Sequence, residues 1–140
     1  MIVCIDTSVF IQASKAGHPL HAIFTAWLRR KFRWALSHDI LAEYEEILTQ
    51  RSGRRRWLQF DRVLDLAEMR GDLLIKVQPS YQFQIIADDP DDNKFTDCAI
   101  TAGADYVITD DRHFAALANA GYKPQPIGSE EFIRRYLSGA

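Results

Sequence analysis

Short runs of apolar residues, almost uninterrupted and separated by helical patterns, constrain this chain most. Ile2 to Ile5 reads IVCI with no polar residue inside it, and Asp6 closes the run. A strand that is apolar throughout has to be covered on both faces, which is the situation of a parallel sheet with helices on each side. Comparable runs recur at Trp34 to Leu36, Leu73 to Val77 and Asp105 to Ile108, and Pro126-Ile127 supplies a last edge strand. Helical spacing fills the intervals. Thr7 to Ala13 is predicted helical. Leu20 to Arg30 follows the break at Gly17-His18-Pro19, with Ile23, Phe24, Trp27 and Leu28 on one face. Ser37 is placed to cap a helix whose inner face is Ile40, Tyr44, Ile47 and Leu48, and Trp57, Phe60, Val63, Leu64 and Ala67 form an amphipathic stripe behind it. Phe95, Ala99 and Ala102 continue to a stop at Gly103, His113 to Ala120 is a short helix, and Ser129 starts a final one through Leu137. Strands alternating with helices predict an α/β fold, a three-layer α/β/α sandwich with a mainly parallel central sheet.

With 140 residues, 47% hydrophobic and 26% charged, the chain is expected to form a single domain over residues 1–140. Its apolar runs are too short to span a bilayer, and MIVCIDTSVFIQ lacks the basic residues that precede a signal sequence, so it reads as a strand and the protein as cytoplasmic, with no membrane partner. Cys4 and Cys98 have no metal-type spacing and sit in apolar segments, which predicts buried free thiols. The net charge of −2 divides unevenly: residues 1–70 carry +3 and residues 71–140 carry −5. Such asymmetry suits an acidic, metal-binding pole with basic flanks for a polyanion, and it also arises by chance in a chain of mixed charge.

The acidic half concentrates its charge in Asp88 to Asp97, DDPDDNKFTD, five aspartates and one asparagine in ten residues. Like charges this dense stay cheap only if fully hydrated or facing a compensating cation. One reading is a solvated loop ending in a helix cap; another is a site. Asp6 and Asp110-Asp111 also follow β-rich runs, the place where open α/β sheets build their sites. Within the third helical stretch Glu43 lies beside the apolar stripe, whereas Glu45 and Glu46 project further from it, so Glu43 needs a partner. Asp92, three residues before Phe95, belongs to the sheet-facing side, and Asp97 points towards solvent. Converging carboxylates select hard ions, so Mg²⁺ or Mn²⁺ is the expected cofactor, whereas the four histidines lack a paired zinc motif. Divalent ions on carboxylates suit phosphodiester hydrolysis. The sequence carries no Gly-rich phosphate loop, no G-x-S-x-G elbow and no Cys-His arrangement, and Ser8 stands where a D-x-D phosphatase needs its second aspartate.

Asp6-Thr7-Ser8 after a hydrophobic strand, Glu43 in ILAEYEEIL, the run DPDDNKFTDCAITAGADYVIT and its continuation DDRHF together resemble the PIN domain, in the branch described as toxin components of toxin-antitoxin systems. Asp6, Glu43, Asp92 and Asp111 match the four acidic positions of that family in order. Its pattern of a Thr, a variable residue and an acidic one falls on Thr109, Asp110 and Asp111, and Ser8 stands where Asn is common. The resemblance implies a PIN-like sandwich and a Mg²⁺- or Mn²⁺-dependent endoribonuclease, a homodimer with an RNA substrate, inhibited by an antitoxin protein. It implies Asp6 as the main metal ligand, Asp92 and Asp111 as further ligands, and Glu43 as either a ligand or the residue that orients the attacking water. Ser8, Asn93, Asp97 and Thr109 are then supporting residues, with capping and solvation as the competing account of Asn93 and Asp97.

Arg54, Arg55 and Arg56, in the most basic segment, are candidates for RNA contact or else solvated side chains in a turn between helices. Trp27, Trp34, Trp57, Phe60 and Tyr81 are core residues or the lining of a partner groove. Two other functions stay open. One is a PIN-like module that binds RNA or protein and cleaves little. The other is a phosphotransfer receiver, which needs a lysine after a late strand, whereas Lys123-Pro124 precedes the last one.

Overall fold

The chain starts directly in strand β1 (Ile2–Ile5), turns into helix α1 (Thr7–Ala13), and continues through α2 (His21–Leu28) to β2 (Arg33–Leu36). Two helices in succession follow, α3 (His38–Ser52) and α4 (Arg54–Arg70), before β3 (Leu74–Lys76). The remaining elements are α5 (Asn93–Ala102), β4 (Tyr106–Ile108), a 3₁₀ turn over Arg112–Phe114 that runs into α6 (Ala115–Ala118), β5 (Gln125–Ile127) and α7 (Ser129–Phe132), extended by a π-helical turn over Ile133–Leu137. This computed structural model describes residues 1–79, 93–118 and 121–137. The loop read over Pro79 to Ile86 falls, after Pro79, outside the described residues, as do Tyr81 and the acidic run as far as Asp92.

The five strands form one sheet in the order β3-β2-β1-β4-β5, and every pairing is parallel. Val3 stands beside both Trp34 and Tyr106, and Ile5 beside Ile108, so β1 and β4 end level with one another. The expected three-layer α/β/α sandwich is what forms. Val3, Cys4 and Ile5 are fully buried, as a strand covered on both faces has to be. Both cysteines are free and buried. Among the described residues no helix is long and apolar enough to cross a membrane.

The order of the strands fixes where a site can form. From β1 the chain adds β2 and then β3 on one side, while β4 and β5 extend the other, so the direction of winding reverses between β1 and β4. At such a reversal the connections leave the two strands in opposite directions and open a crevice beyond their carboxyl ends. Asp6 follows β1 and Thr109 follows β4, which places both at that crevice.

Aromatic rings hold the helices in place behind it. Phe10 of α1 stacks on Tyr44 of α3 with centroids 4.0 Å apart, and Phe60 of α4 meets Phe10 edge-on at 4.7 Å. Trp27 donates its indole N–H to the Leu73 carbonyl at 2.8 Å, tying α2 to the start of β3. Trp27, Trp34, Trp57 and Phe60 are all buried and belong to the core, and Trp27 and Phe60 also form part of the floor of a cavity of about 210 Å³. Gly103 takes φ of 68°, and the Ala104 amide reaches back to Ala99 at 2.8 Å, which closes α5 where the sequence predicted its end.

The basic segment departs from its expected form. Arg51 and Ser52 complete α3, Gly53 turns the chain at φ 91°, and α4 begins at Arg54 rather than near Trp57. Three arginines that read as a turn are thus the first turn of a helix, because one glycine suffices to redirect the backbone.

Candidate functional site

Asp6, Thr7, Ser8, Glu43, Phe95, Asp110 and Asp111 line one cavity of about 260 Å³ at the mouth of the crevice. Three of the four acidic positions singled out in the sequence therefore share a cavity; the fourth, Asp92, lies outside the described residues. Among the described residues no three His, Cys, Asp or Glu side chains stand close enough to form a complete metal shell.

Asp6 is the most constrained of the carboxylates. It caps α1, with Oδ1 accepting from the Val9 amide at 2.9 Å, while Oδ2 accepts from the Thr109 hydroxyl. Burial pushes its carboxyl up from the usual carboxylate range to about 6; the Thr109 and Val9 hydrogen bonds pull the other way, and the charges of Asp110 and Asp111 push it further up. Thr109 does double work, since its Oγ1 also accepts from the Asp111 amide at 3.0 Å. That hydroxyl links the ends of β1 and β4. Asp111 caps the following 3₁₀ turn, with Oδ1 accepting from the His113 amide at 2.9 Å.

Glu43 reaches the cavity from the side of α3. Tyr44, its neighbour, donates its hydroxyl to the Ile5 carbonyl, so α3 is pinned to the residue just before Asp6. Both Glu43 oxygens are engaged: Oε2 accepts from the Thr7 hydroxyl, and Oε1 from the Lys94 ammonium at 2.7 Å. Lys94 and Thr7 are site residues that the sequence reading did not single out. A lysine alone among five aspartates was the available signal.

Asp110, read as the variable residue, has a fixed place. Its two carboxylate oxygens accept from the Ser129 amide at 2.9 Å and the Ser129 hydroxyl at 2.7 Å, holding the start of α7 against the end of β4. Ser8 is exposed on the cavity wall and is bridged to Gln12, whose side-chain N–H reaches its hydroxyl at 3.3 Å. Asn93 opens α5 and is half-buried. Asp97 corrects the expectation of a solvent-facing side chain: it is 8% exposed. The reason is that α5 packs against β1, β2, β4 and α3, so Phe95, Thr96, Asp97, Cys98 and Ala99 are buried in succession and the solvent arc is narrower than a one-sided helix has.

The arginine candidates do not line the cavity. Arg56 donates to the Ser14 carbonyl at 2.7 Å, closing the far end of α1, and Arg54 lies 3.8 Å from Glu45 with two-thirds of its side chain exposed. Glu43 and Ser52 are separated by roughly 13 Å along the axis of α3, so the three arginines begin well away from the carboxylates.

The all-oxygen donor set around the cavity, with the buried Asp6 carboxylate in it and no Lys or Arg ion pair on Asp6 among the described residues, fits a hard divalent cation in chemistry, and Asp6 and Asp111 are the residues that could hold one. Fold and site together define an α/β protein with an acidic crevice at a winding reversal. A model of the PIN domain matches residues 2–113, and the chain belongs to the PIN domain family. The crystal structure of VapBC2 from Rickettsia felis, bound to a DNA fragment from its promoter, is similar with a TM-score of 0.57 at 13% identity, covering 91% of this chain and 98% of that one. VapC20 from Mycobacterium tuberculosis, a sarcin-ricin-loop-cleaving toxin, is similar with a TM-score of 0.52 at 16% identity, covering 86% and 95%. At these identities the likeness shows the fold alone. No curated protein matches the sequence significantly.

Proposed function

We propose that this protein is an endoribonuclease dependent on Mg²⁺ or Mn²⁺ and the toxin of a toxin-antitoxin pair, acting on RNA phosphodiester bonds at the acidic crevice. The observation that carries this reading is the gathering of Asp6, Glu43 and Asp111 around one cavity, with Asp6 buried and pushed up to about 6. A buried carboxylate between two other aspartates calls for a cation of higher charge than a solvated sodium. Family membership and the fold shared with VapC20 support the same reading.

In this reading Asp6, Asp92 and Asp111 hold the ion. A bound divalent cation supplies activation of the attacking water and stabilisation of the leaving oxygen. The chain's own residues do the rest. Thr109 fixes Asp6 against Asp111, and Thr7 fixes Glu43, which faces the cavity in position to orient a water. In the same reading Arg54 and Arg55, exposed at the start of α4, are the candidates for contact with the RNA strand, and an antitoxin protein and a second copy of this chain are the expected partners.

A second reading is a PIN-like module that binds RNA or protein with little turnover, and the engagement of Glu43 by Lys94 favours it. One experiment separates the two. Purified wild type and Asp6→Asn are incubated with a mixed structured RNA pool in EDTA, Mg²⁺ or Mn²⁺. Metal-dependent cleavage that vanishes in Asp6→Asn while RNA binding persists establishes the nuclease. Binding without cleavage by either protein, in any metal and with folding verified, establishes the module.

A further inference from the structure

The carboxylates around the cavity are of two kinds. Among the described residues Asp6 is buried without a cationic partner, and Asp110 and Asp111 raise the cost of its charge. Glu43 is compensated: the Lys94 ammonium sits 2.7 Å from Oε1, the Thr7 hydroxyl holds Oε2, and the two charged side chains are 23% and 24% exposed. An ion pair so far withdrawn from water is a fixture and not a passing surface contact, because breaking it would leave one half-buried charge unmatched. Lys94 stands in the first turn of α5 and Glu43 in the second turn of α3, so the pair also joins two helices that each contribute a residue to the cavity wall.

We propose that Lys94 is a positioning residue of the site: its ammonium, with the Thr7 hydroxyl, clamps Glu43 so that this carboxylate stays outside direct ligation of the ion and remains fixed to orient a water. This rests on the reading of the crevice as a divalent-cation site. A carboxylate whose two oxygens already accept from a hydroxyl and an ammonium has its charge spoken for, whereas Asp6 has no lysine or arginine on it among the described ion pairs. A divalent ion therefore goes to Asp6 in preference to Glu43. Lys94 also subtracts one unit of negative charge from the mouth through which a phosphodiester has to approach.

The clamp moves two measurable quantities in opposite directions. Removing the ammonium frees Glu43 to ligate and makes the cavity more negative, so an ion binds more tightly; the same change releases Glu43 from its orientation, so cleavage slows. Loss of structure would weaken both together. Mn²⁺ affinity is read without RNA, from the electron paramagnetic resonance signal of free Mn²⁺, for wild type, Lys94→Met, Lys94→Gln and Lys94→Arg, with melting temperatures to verify folding. Steady-state cleavage of one RNA gives kcat and KM for the same proteins. We expect Lys94→Met and Lys94→Gln to bind Mn²⁺ about fivefold more tightly or better, and kcat to fall about tenfold with a smaller change in KM. Lys94→Arg, which keeps the charge, should recover wild-type Mn²⁺ affinity to within about twofold. The proposal is overturned if wild type binds Mn²⁺ and cleaves while neutral substitutions leave both values unchanged or weaken Mn²⁺ binding. Absence of Mn²⁺ binding and of cleavage in every folded variant, wild type included, overturns the cation-site reading and the clamp with it.

Discussion

Asp6 carries the electrostatic conflict that the crevice is built around. Its cap on Val9 and its bond from Thr109 favour the anion, yet burial and the neighbouring aspartates outweigh them and push its carboxyl up to about 6. Between about pH 4 and pH 6 the unfolded chain has released this proton while the folded one keeps it, so folded protein binds more protons and stability falls as pH rises through that window. For a displacement of about two pH units the loss is about 3 kcal/mol, present in full above pH 6. Asp6→Asn removes the proton exchange and keeps an acceptor for Val9. We expect the stability of Asp6→Asn relative to wild type, measured by urea unfolding in EDTA, to rise by about 2–3 kcal/mol between pH 4 and pH 7. A difference that stays flat across that range would mean Asp6 is not the buried, uncompensated acid described. That aspartates close the apolar strands is readable in the sequence, because strand ends follow from local apolar runs. Which neighbour satisfies each of them is not: Thr7 on Glu43 and Asp110 on Ser129 are separations of 36 and 19 residues that no local pattern encodes.

At the level of elements, the position of Glu43 depends on how α3 docks against β1. Two contacts set it: the Tyr44 ring stacked on Phe10, and the Tyr44 hydroxyl on the Ile5 carbonyl. Tyr44→Phe keeps the ring and removes the hydroxyl, leaving the Ile5 carbonyl short of a partner in a buried place. That costs about 1–2 kcal/mol by thermal or urea unfolding. Tyr44→Ala also empties the aromatic cluster and should cost about 3–5 kcal/mol. If Tyr44→Phe is neutral, the hydroxyl does not contribute to docking. The helices and strands themselves were legible, since apolar periodicity is local: β1, α1 and the Gly103 stop of α5 appear where the spacing puts them. The failures have a common cause. Sequence spacing puts Asp97 in solvent and starts α4 too late because burial of α5 against four elements, and the turn at Gly53, are consequences of packing and of a single backbone angle.

For the molecule as a whole, the parallel sheet and the placing of the site are one fact. Because β1 and β4 are neighbours with helices leaving in opposite directions, residues 103 positions apart, Asp6 and Thr109, meet in a hydrogen bond, and the sequence could indicate this only through the order of its strands. The same coupling lets a ligand at the crevice stabilise the entire fold. On the proposed reading, an ion held by Asp6 and Asp111 would join the two central strands and bind the folded chain alone, and so would add RT ln(1 + [L]/Kd), about 2.7 kcal/mol at a hundredfold excess over Kd. For a chain of this size that corresponds to a rise of about 6–10 °C in melting temperature. We expect Mn²⁺ to produce a saturable rise of that order in wild type and EDTA to reverse it. Asp6→Asn should show little response, because it withdraws a charged ligand from the centre of the site. Ca²⁺, larger and more tolerant of irregular geometry, serves as the comparison for ion size. Equal shifts in wild type and Asp6→Asn would locate the ion elsewhere on the protein. A shift confined to wild type would tie ion, crevice and fold together through the one carboxylate that the sheet buries at its winding reversal.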